Sequence, residues 1–248
     1  MSRLTNLIID TADVLSQAAT SEQRWWAINR VARKIGANAV NAGAFQCDTK
    51  EIAWVRSSMD PRWLEEYEAD AFDAADPLLD GVLSCVPEQR FDFRQLGRTL
   101  GKSSKAGHMS NAVLAYEYNY MISNTWADGG SGKCVAVAFE HDPDCLFGPG
   151  SARAFGTISA MMAVALLPPG DDLHEGWAWG TGWQSLVARE RDVLSFVYQG
   201  LPEYMIAETM RITEFEVWSL IHSASRKMRA RTRSQAVALA ISRGQVEP

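Results

Sequence analysis

The stretch from Leu186 to Val246, LVARERDVLSFVYQGLPEYMIAETMRITEFEVWSLIHSASRKMRARTRSQAVALAISRGQV, constrains the fold of this chain most. Its apolar residues recur at spacings of three and four, with punctuation between the runs, which predicts four short helices. Val193, Leu194 and Val197 share one face of the first, Ala188 to Gln199, and Gly200 stands where a left-handed glycine ends a helix. Pro202 opens the second, with Ile206, Ala207 and Met210 inward. Thr213-Glu214-Phe215-Glu216 is a capping box at the head of the third, which carries Val217, Leu220, Ile221, Ala224 and Met228 inward. A fourth follows Thr232, with Ala236, Val237, Ala240 and Ile241 inward, and stops at Gly244. Two short helices across a tight turn, the second freshly capped, predict a helix-turn-helix.

Charge divides along the same line. From Trp183 onward there are nine Lys/Arg against seven Asp/Glu, whereas the whole chain has 24 against 30 and a net charge of −6, so residues 1 to 182 hold −8. Arg226, Lys227, Arg229, Arg231 and Arg233 crowd the end of the third predicted helix. A charge run of this kind is either a solvated helix end or, after a recognition helix, a set of phosphate contacts.

Upstream, Leu4 to Ala18 and Thr20 to Ile35 read as helices, and Ala37 to Gln46 with Ile52 to Arg56 as a strand hairpin. Pro61 starts a helix through Trp63, Leu64 and Tyr67, and Asp76-Pro77 opens another to Val86. Gln89 to Gly107, polar and rich in Gly and Lys, is expected to be a loop with at most one helical turn. Ala112 to Tyr118 reads as a helix, Tyr120 to Trp126 and Cys134 to Phe139 as strands, and Gly150 to Leu167 as a long apolar helix. This order predicts an α+β chain of two domains: an N-terminal α/β/α sandwich on an antiparallel sheet, and a C-terminal all-α four-helix domain. The expected boundaries are 1–167, a linker at 168–184 begun by Pro168-Pro169-Gly170, and 185–248. Trp177, Trp179 and Trp183 in that linker are too apolar to leave in water and are expected to pack an interface, between the domains or in a dimer.

No apolar run approaches the ~20 residues that span a bilayer, and Asp10 and Asp13 interrupt the amino-terminal pattern, so no signal peptide is expected. Cys47, Cys85, Cys134 and Cys145 lack C-x-x-C spacing and are expected to be reduced thiols of a cytoplasmic protein. Enzymatic readings find little: Gly129-Gly130-Ser131-Gly132-Lys133 lacks phosphate-loop spacing. His108, His141, His174 and His222 show no triad order, and no metal or cofactor is expected.

The run R-E-R-D-V-L, Q-G, I-A, I-T-x-x-x-V, R-K-M and R-x-Q-A-V resembles the DNA-binding domain of the LuxR family of bacterial regulators. Arg189, Glu190, Val193, Leu194, Gly200, Ile206, Ala207, Ile212, Val217, Lys227, Arg233 and Ala236 fit its pattern. In the N-terminal half, Trp63, Tyr67, Asp76 and Pro77 within WLEEYEADAFDAADPLL resemble the family's acyl-homoserine-lactone pocket segment in identity and spacing. The resemblance implies that the Trp63 indole N–H donates to the lactone carbonyl, Asp76 accepts from the ligand amide, and Tyr67 walls the acyl chain. A donor-only indole and an acceptor-only carboxylate suit one C=O and one N–H. Read on their own, Trp63 and Tyr67 are also an ordinary core stripe and Asp76 an ordinary N-cap.

The chain departs from the family pattern at Met59 (usually Tyr), Phe91 (an aromatic wall replacing Trp), Asn119 and Ser123 (usually Gly), and Ala138 (Ser/Thr in relatives). On the recognition helix it has Glu216 where Thr is common and Trp218 where basic or polar groups are. The resemblance implies a transcriptional regulator, not an enzyme. It would be controlled by a small signal of acyl-homoserine-lactone type and bind palindromic double-stranded DNA as a homodimer away from any membrane. Thr213, Trp218, His222, Arg226, Lys227, Arg229, Arg231 and Arg233 would face the DNA. The alternative is a signal-independent relative that works by heterodimerisation with another regulator.

Overall fold

The computed structural model describes residues 3–101, 103–128, 131–145, 150–169, 177–180 and 182–247. The chain divides into two compact units, one of Met1–Ala44, Trp54–Trp126 and Lys133–Trp179, the other of Phe45–Ala53, Ala127–Gly132 and Gly180–Pro248. In chain order the elements begin with α1 (Arg3–Ser16), α2 (Ser21–Lys34), β1 (Ala39–Gln46), β2 (Ile52–Ser57) and α3 (Pro61–Ala69). A 3-10 turn at Phe72–Ala75 leads to α4 (Pro77–Leu83), β3 (Glu88–Asp92), α5 (Phe93–Leu100) and α6 (Lys105–Ala112). After a second 3-10 turn, Val113–Tyr116, come β4 (Tyr120–Asp128), β5 (Ser131–Phe139), α7 (Ser151–Ala165) and β6 (Trp177–Trp179).

Among the described residues the strands form one sheet in the order β3-β4-β5-β1-β2-β6. It is antiparallel where β3 meets β4, with Phe91 opposite Met121, and where β2 meets β6, with Val55 opposite Trp179. Successive strand residues face opposite sides, and helices cover both. Phe139 meets Phe155 of α7 edge to face at 5.3 Å, and Lys133 Nζ donates to the Ala163 and Leu166 carbonyls at 3.2 and 3.3 Å. Beside α7 lie α1 and α2, the latter opened by the Thr20–Gln23 capping box and burying Ile28 and Val31. On the other face, Gln89 Nε2 of β3 donates to Leu78 O of α4 at 3.1 Å. The expected sandwich is present.

The expected loop at Gln89 to Gly107 is instead β3, α5 and most of the first turn of α6. Asp92 caps α5 by accepting from Arg94 N at 3.0 Å, and Ser104 caps α6 by accepting from Gly107 N at 3.0 Å. Their glycines pack helices together: a Cβ on Gly107 would lie 1.8 Å from Gly101 O. Close approach, not looseness, is why glycine stands there. The expected helix at Ala112 to Tyr118 is a short 3-10 turn, stopped by Glu117 at φ 62°. Part of the expected linker is the edge strand β6.

Cys47 and Cys85 are each in a disulfide, which corrects the expectation of reduced thiols at those positions; the absence of C-x-x-C spacing says little about oxidation. Cys134 is a buried free thiol, and burial pushes it up to about 12. No helix among the described residues is long and apolar enough to cross a membrane.

The second unit carries α8 (Ala188–Tyr198), α9 (Glu203–Met210), α10 (Glu214–Lys227) and α11 (Arg233–Ser242), close to the expected limits. Val193, Leu194, Ile206, Val217, Ala224, Met228, Ala236 and Ala240 are fully buried. Each large apolar side chain among them contributes about 1.5–3 kcal/mol on burial. Gly200 adopts φ 80° and Leu201 N–H reaches back to Phe196 O at 3.1 Å, a Schellman closure. Trp183 is buried in this unit, 1% exposed, with the Arg243 guanidinium 5.2 Å from its ring centroid. Trp179 is half-exposed on β6, and the side chain of Trp177 lies outside the described residues.

Candidate ligand site and nucleic-acid interface

In the first unit the site is built on α3. Asp60 caps this helix by accepting from Arg62 N at 2.9 Å, and Pro61 sits at its first position. One turn apart, Trp63 and Tyr67 therefore share a face, and their rings meet edge to face at 5.8 Å. Ala71, left-handed at φ 50°, reverses the chain so that the fully buried Phe72 stacks on Trp63 at 6.0 Å and meets Tyr67 at 6.1 Å. Tyr116 closes on Trp63 at 5.6 Å, and His108 stands edge-on to Phe72 at 5.5 Å. The sequence singled out Trp63 and Tyr67 but missed Phe72, Tyr116 and His108. Its only signal for Phe72 was an aromatic in an otherwise acidic and alanine-rich stretch.

Asp76 is the polar centre. Its Oδ1 accepts from Leu78 N at 2.8 Å, capping α4, and its Oδ2 accepts from the Tyr67 hydroxyl at 2.9 Å. Burial pushes the Asp76 carboxyl above its ordinary value, against the opposing pull of the Tyr67 hydroxyl and the Leu78 and Leu79 amides. Burial, and next the Asp76 charge, hold the Tyr67 phenol far up. The structure thus brings Trp63, Tyr67 and Asp76 together. Phe91, on β3, stacks on Phe93 at 5.9 Å. Gln89 Nε2 also donates to the buried Ser123 Oγ at 3.3 Å, while Met59 is buried with its sulfur accepting from Asn41 Nδ2 at 3.2 Å. Asn119 Nδ2 donates to Glu140 O at 2.8 Å, and Ala138 is buried. A separate open groove lined by Val14, Trp25, Trp26, Arg30 and Arg33 contains none of the ring-cluster residues.

In the second unit, α9 and α10 are joined by a turn in which Arg211 is left-handed at φ 55° and Ile212 N–H closes onto Ala207 O at 3.0 Å. Thr213 caps α10: its Oγ accepts from Glu216 N at 3.2 Å and donates to Glu216 Oε2 at 2.9 Å. Glu216 Oε2 also accepts from Thr213 N at 2.7 Å. These bonds, the Thr213 amide first, hold Glu216 below the usual carboxylate range. The Glu216 carboxylate is thus turned back into the cap.

Beyond the cap, Phe215, Trp218 and His222 are exposed and stacked, with centroids 6.0 and 5.3 Å apart and planes 24° and 10° from parallel. The basic cluster is not uniform. Lys227 Nζ donates to Glu190 Oε2 at 2.7 Å, and Glu190, 2% exposed, also accepts from Ser223 Oγ and Val187 N. Burial pushes Glu190 up, but the Lys227, Ser223 and Val187 donors together outweigh it and hold the carboxyl below its usual range. The four arginines of the cluster are all exposed; Arg229 Nε donates to Gly182 O at 3.0 Å and Arg233 lies 3.5 Å from Glu203. No group of residues able to hold a metal ion occurs among the described residues.

Residues 184–240 match the family described as bacterial regulatory proteins, luxR family. This segment is a LuxR-family regulatory domain. The match covers 57 of the 248 residues, α8 to α11, and makes that segment similar to the family's regulatory domain. The fold extends the likeness to both units. Escherichia coli SdiA superposes at a TM-score of 0.58 and 15% identity over 97% of this chain and 98% of its own. SdiA in complex with octanoyl-rac-glycerol gives 0.58 and 12% over 98% and 96%. CepR2 from Burkholderia cenocepacia, an N-acylhomoserine-lactone-dependent LuxR-family transcription factor, gives 0.52 and 16% over 66% of this chain and 96% of its own. No curated protein matches the sequence. The two-domain LuxR-type architecture read from the sequence, a sandwich followed by the helix-turn-helix, is therefore the fold of this chain.

Proposed function

We propose that this LuxR-type regulator is cytoplasmic, that its N-terminal unit binds an acyl-homoserine-lactone signal, and that it acts on palindromic duplex DNA as a homodimer. The observation that carries the ligand reading is the Tyr67–Asp76 hydrogen bond set inside the Trp63, Phe72 and Tyr116 ring cluster. A carboxylate there accepts the amide N–H of the ligand, the Trp63 indole donates to the lactone carbonyl, and the rings enclose apolar chain. Phe91, Met59 and Ala138 offer no side-chain donor, which favours an acyl chain without an oxo or hydroxy substituent. SdiA, of the same fold, has been seen with octanoyl-rac-glycerol. A glycerol hydroxyl is also a donor that Asp76 can accept, so monoacylglycerols are the second ligand class.

Thermal unfolding of the purified chain with a panel of acyl-homoserine lactones and monoacylglycerols tests this. A ligand that binds only the folded form raises stability by RT ln(1 + [L]/Kd). The expected result is a rise of several degrees with an unsubstituted lactone, lost in Asp76→Ala. If a folded protein is moved by no member of either class, the ligand reading fails.

A further inference from the structure

We infer that the Phe215–Trp218–His222 stack on α10 is a reader of pyrimidine methyl groups, so that the preferred half-site presents thymine and excludes guanine at the contacted positions. This rests on the DNA-binding reading above and adds the base preference to it.

The second helix of a helix-turn-helix lies in the major groove, and its N-terminal residues reach base edges. In α10 those outward positions are Glu214, Phe215, Trp218, Ser219 and His222, all exposed. None carries a guanidinium or an ammonium group, the donors that most often read guanine O6 and N7. The Glu214 carboxylate repels those two acceptors outright. Three rings instead stand over the first turns at 6.0 and 5.3 Å, in planes close to parallel. Phe215 is 74% exposed and Trp218 53%, so among the described residues their outer apolar surface is left to solvent. The thymine C5-methyl is the apolar feature that a major-groove edge offers to such a surface. Stacking also holds the rings in place before binding, so little side-chain freedom is lost on contact. The acid nearest the groove besides Glu214 is Glu216, and its Thr213 bonds hold it in the cap. Arg226 and Arg231 extend beyond the stack and suit the flanking phosphates.

The test selects duplexes from a randomised pool with the full-length chain. It then measures affinity for the selected duplex and for copies in which individual thymines are replaced by deoxyuridine. That replacement removes only the methyl group and leaves every hydrogen-bonding group in place. The expected result is a thymine-rich, guanine-poor core in each half-site. Affinity should fall about three- to fivefold for each contacted methyl removed, the transfer value of one buried carbon. Trp218→Ala, at an exposed position, should melt like the parent and bind thymine and deoxyuridine duplexes alike; Phe215→Ala should blunt the difference. The inference is overturned by equal affinity for thymine and deoxyuridine duplexes in the parent, or by selection of guanine at the contacted positions. It is also overturned if Trp218→Ala leaves DNA affinity intact and changes oligomeric state, which would make the stack a protein contact. Failure to bind any duplex overturns it together with the DNA-binding reading, and so is told apart from loss of methyl discrimination alone.

Discussion

The Tyr67 hydroxyl and the Leu78 amide hold opposite oxygens of the Asp76 carboxyl, at 2.9 and 2.8 Å, in a setting where burial favours the protonated acid. These donors and the Leu79 amide do not offset that burial; a further one, supplied by a ligand N–H, works in the same direction as they do. Because the folded-state value is raised, proton binding at Asp76 favours the folded form at low pH, and this contribution is lost as pH rises through the raised value. A ligand donating to the ionised carboxylate has the reverse dependence. Lactone affinity is therefore expected to increase with pH up to the raised value of the free protein and then level off. Calorimetric titration across that window checks it, and Asp76→Asn should flatten the curve.

Tyr67→Phe removes the side-chain donor to Asp76 while keeping the ring that meets Trp63 and Phe72. The pH window for binding should move upward, because the hydroxyl lowers the Asp76 value. Folding should weaken by about 1–2 kcal/mol, the usual cost of a buried hydrogen-bonding group left without its partner. Denaturant unfolding with and without lactone separates the two effects.

Lys227→Met should act on folding before it acts on DNA. It leaves Glu190, 2% exposed, with two neutral donors and no counter-charge, and breaking a buried pair in this way costs about 3–5 kcal/mol. Glu190→Gln combined with Lys227→Met should recover part of that loss. The pair also sets a pH dependence. Glu190 is held below its ordinary value, so its stabilisation is present above about 4.5 and disappears as pH falls through the folded value. Thermal melts of the single and double variants from neutral to acid pH report both.

Arg211 occupies the left-handed position between α9 and α10 at φ 55°, where a side chain crowds its own backbone. Arg211→Gly is expected to raise stability by about 1 kcal/mol, without changing the contacts of Ile212 or Thr213. A chemical denaturation midpoint that moves up at constant slope would support this; one that moves down would mean the arginine makes a compensating contact.

The helices of the second unit were legible because apolar spacing, Gly200 and the Thr213 box all point to the same limits. The sandwich was legible in its long elements. It was obscured where β3, α5 and α6 show mostly polar residues to solvent and use glycine for close packing. Trp63, Tyr67 and Asp76 could be found because two neighbouring helices fix their spacing. Phe72 could not, since its position depends on a left-handed alanine, which leaves no mark in composition. Lys227 looked like one more cation of a run because its partner stands 37 residues away. The rings of Phe215, Trp218 and His222 were visible as residue types, but their mutual stacking belongs to the helix surface and not to the alphabet.

The ion pair that takes Lys227 out of the basic run has a consequence for how this protein would respond to its ionic surroundings. Arg226 and Arg231 are exposed and have no ion pair among the described residues. Each phosphate neutralised releases condensed counterions and contributes about −0.9 to the slope of log affinity against log salt. On the proposed homodimer two such contacts per protomer would contribute about −4 to that slope, and Lys227, held in its ion pair with Glu190, would add nothing to it.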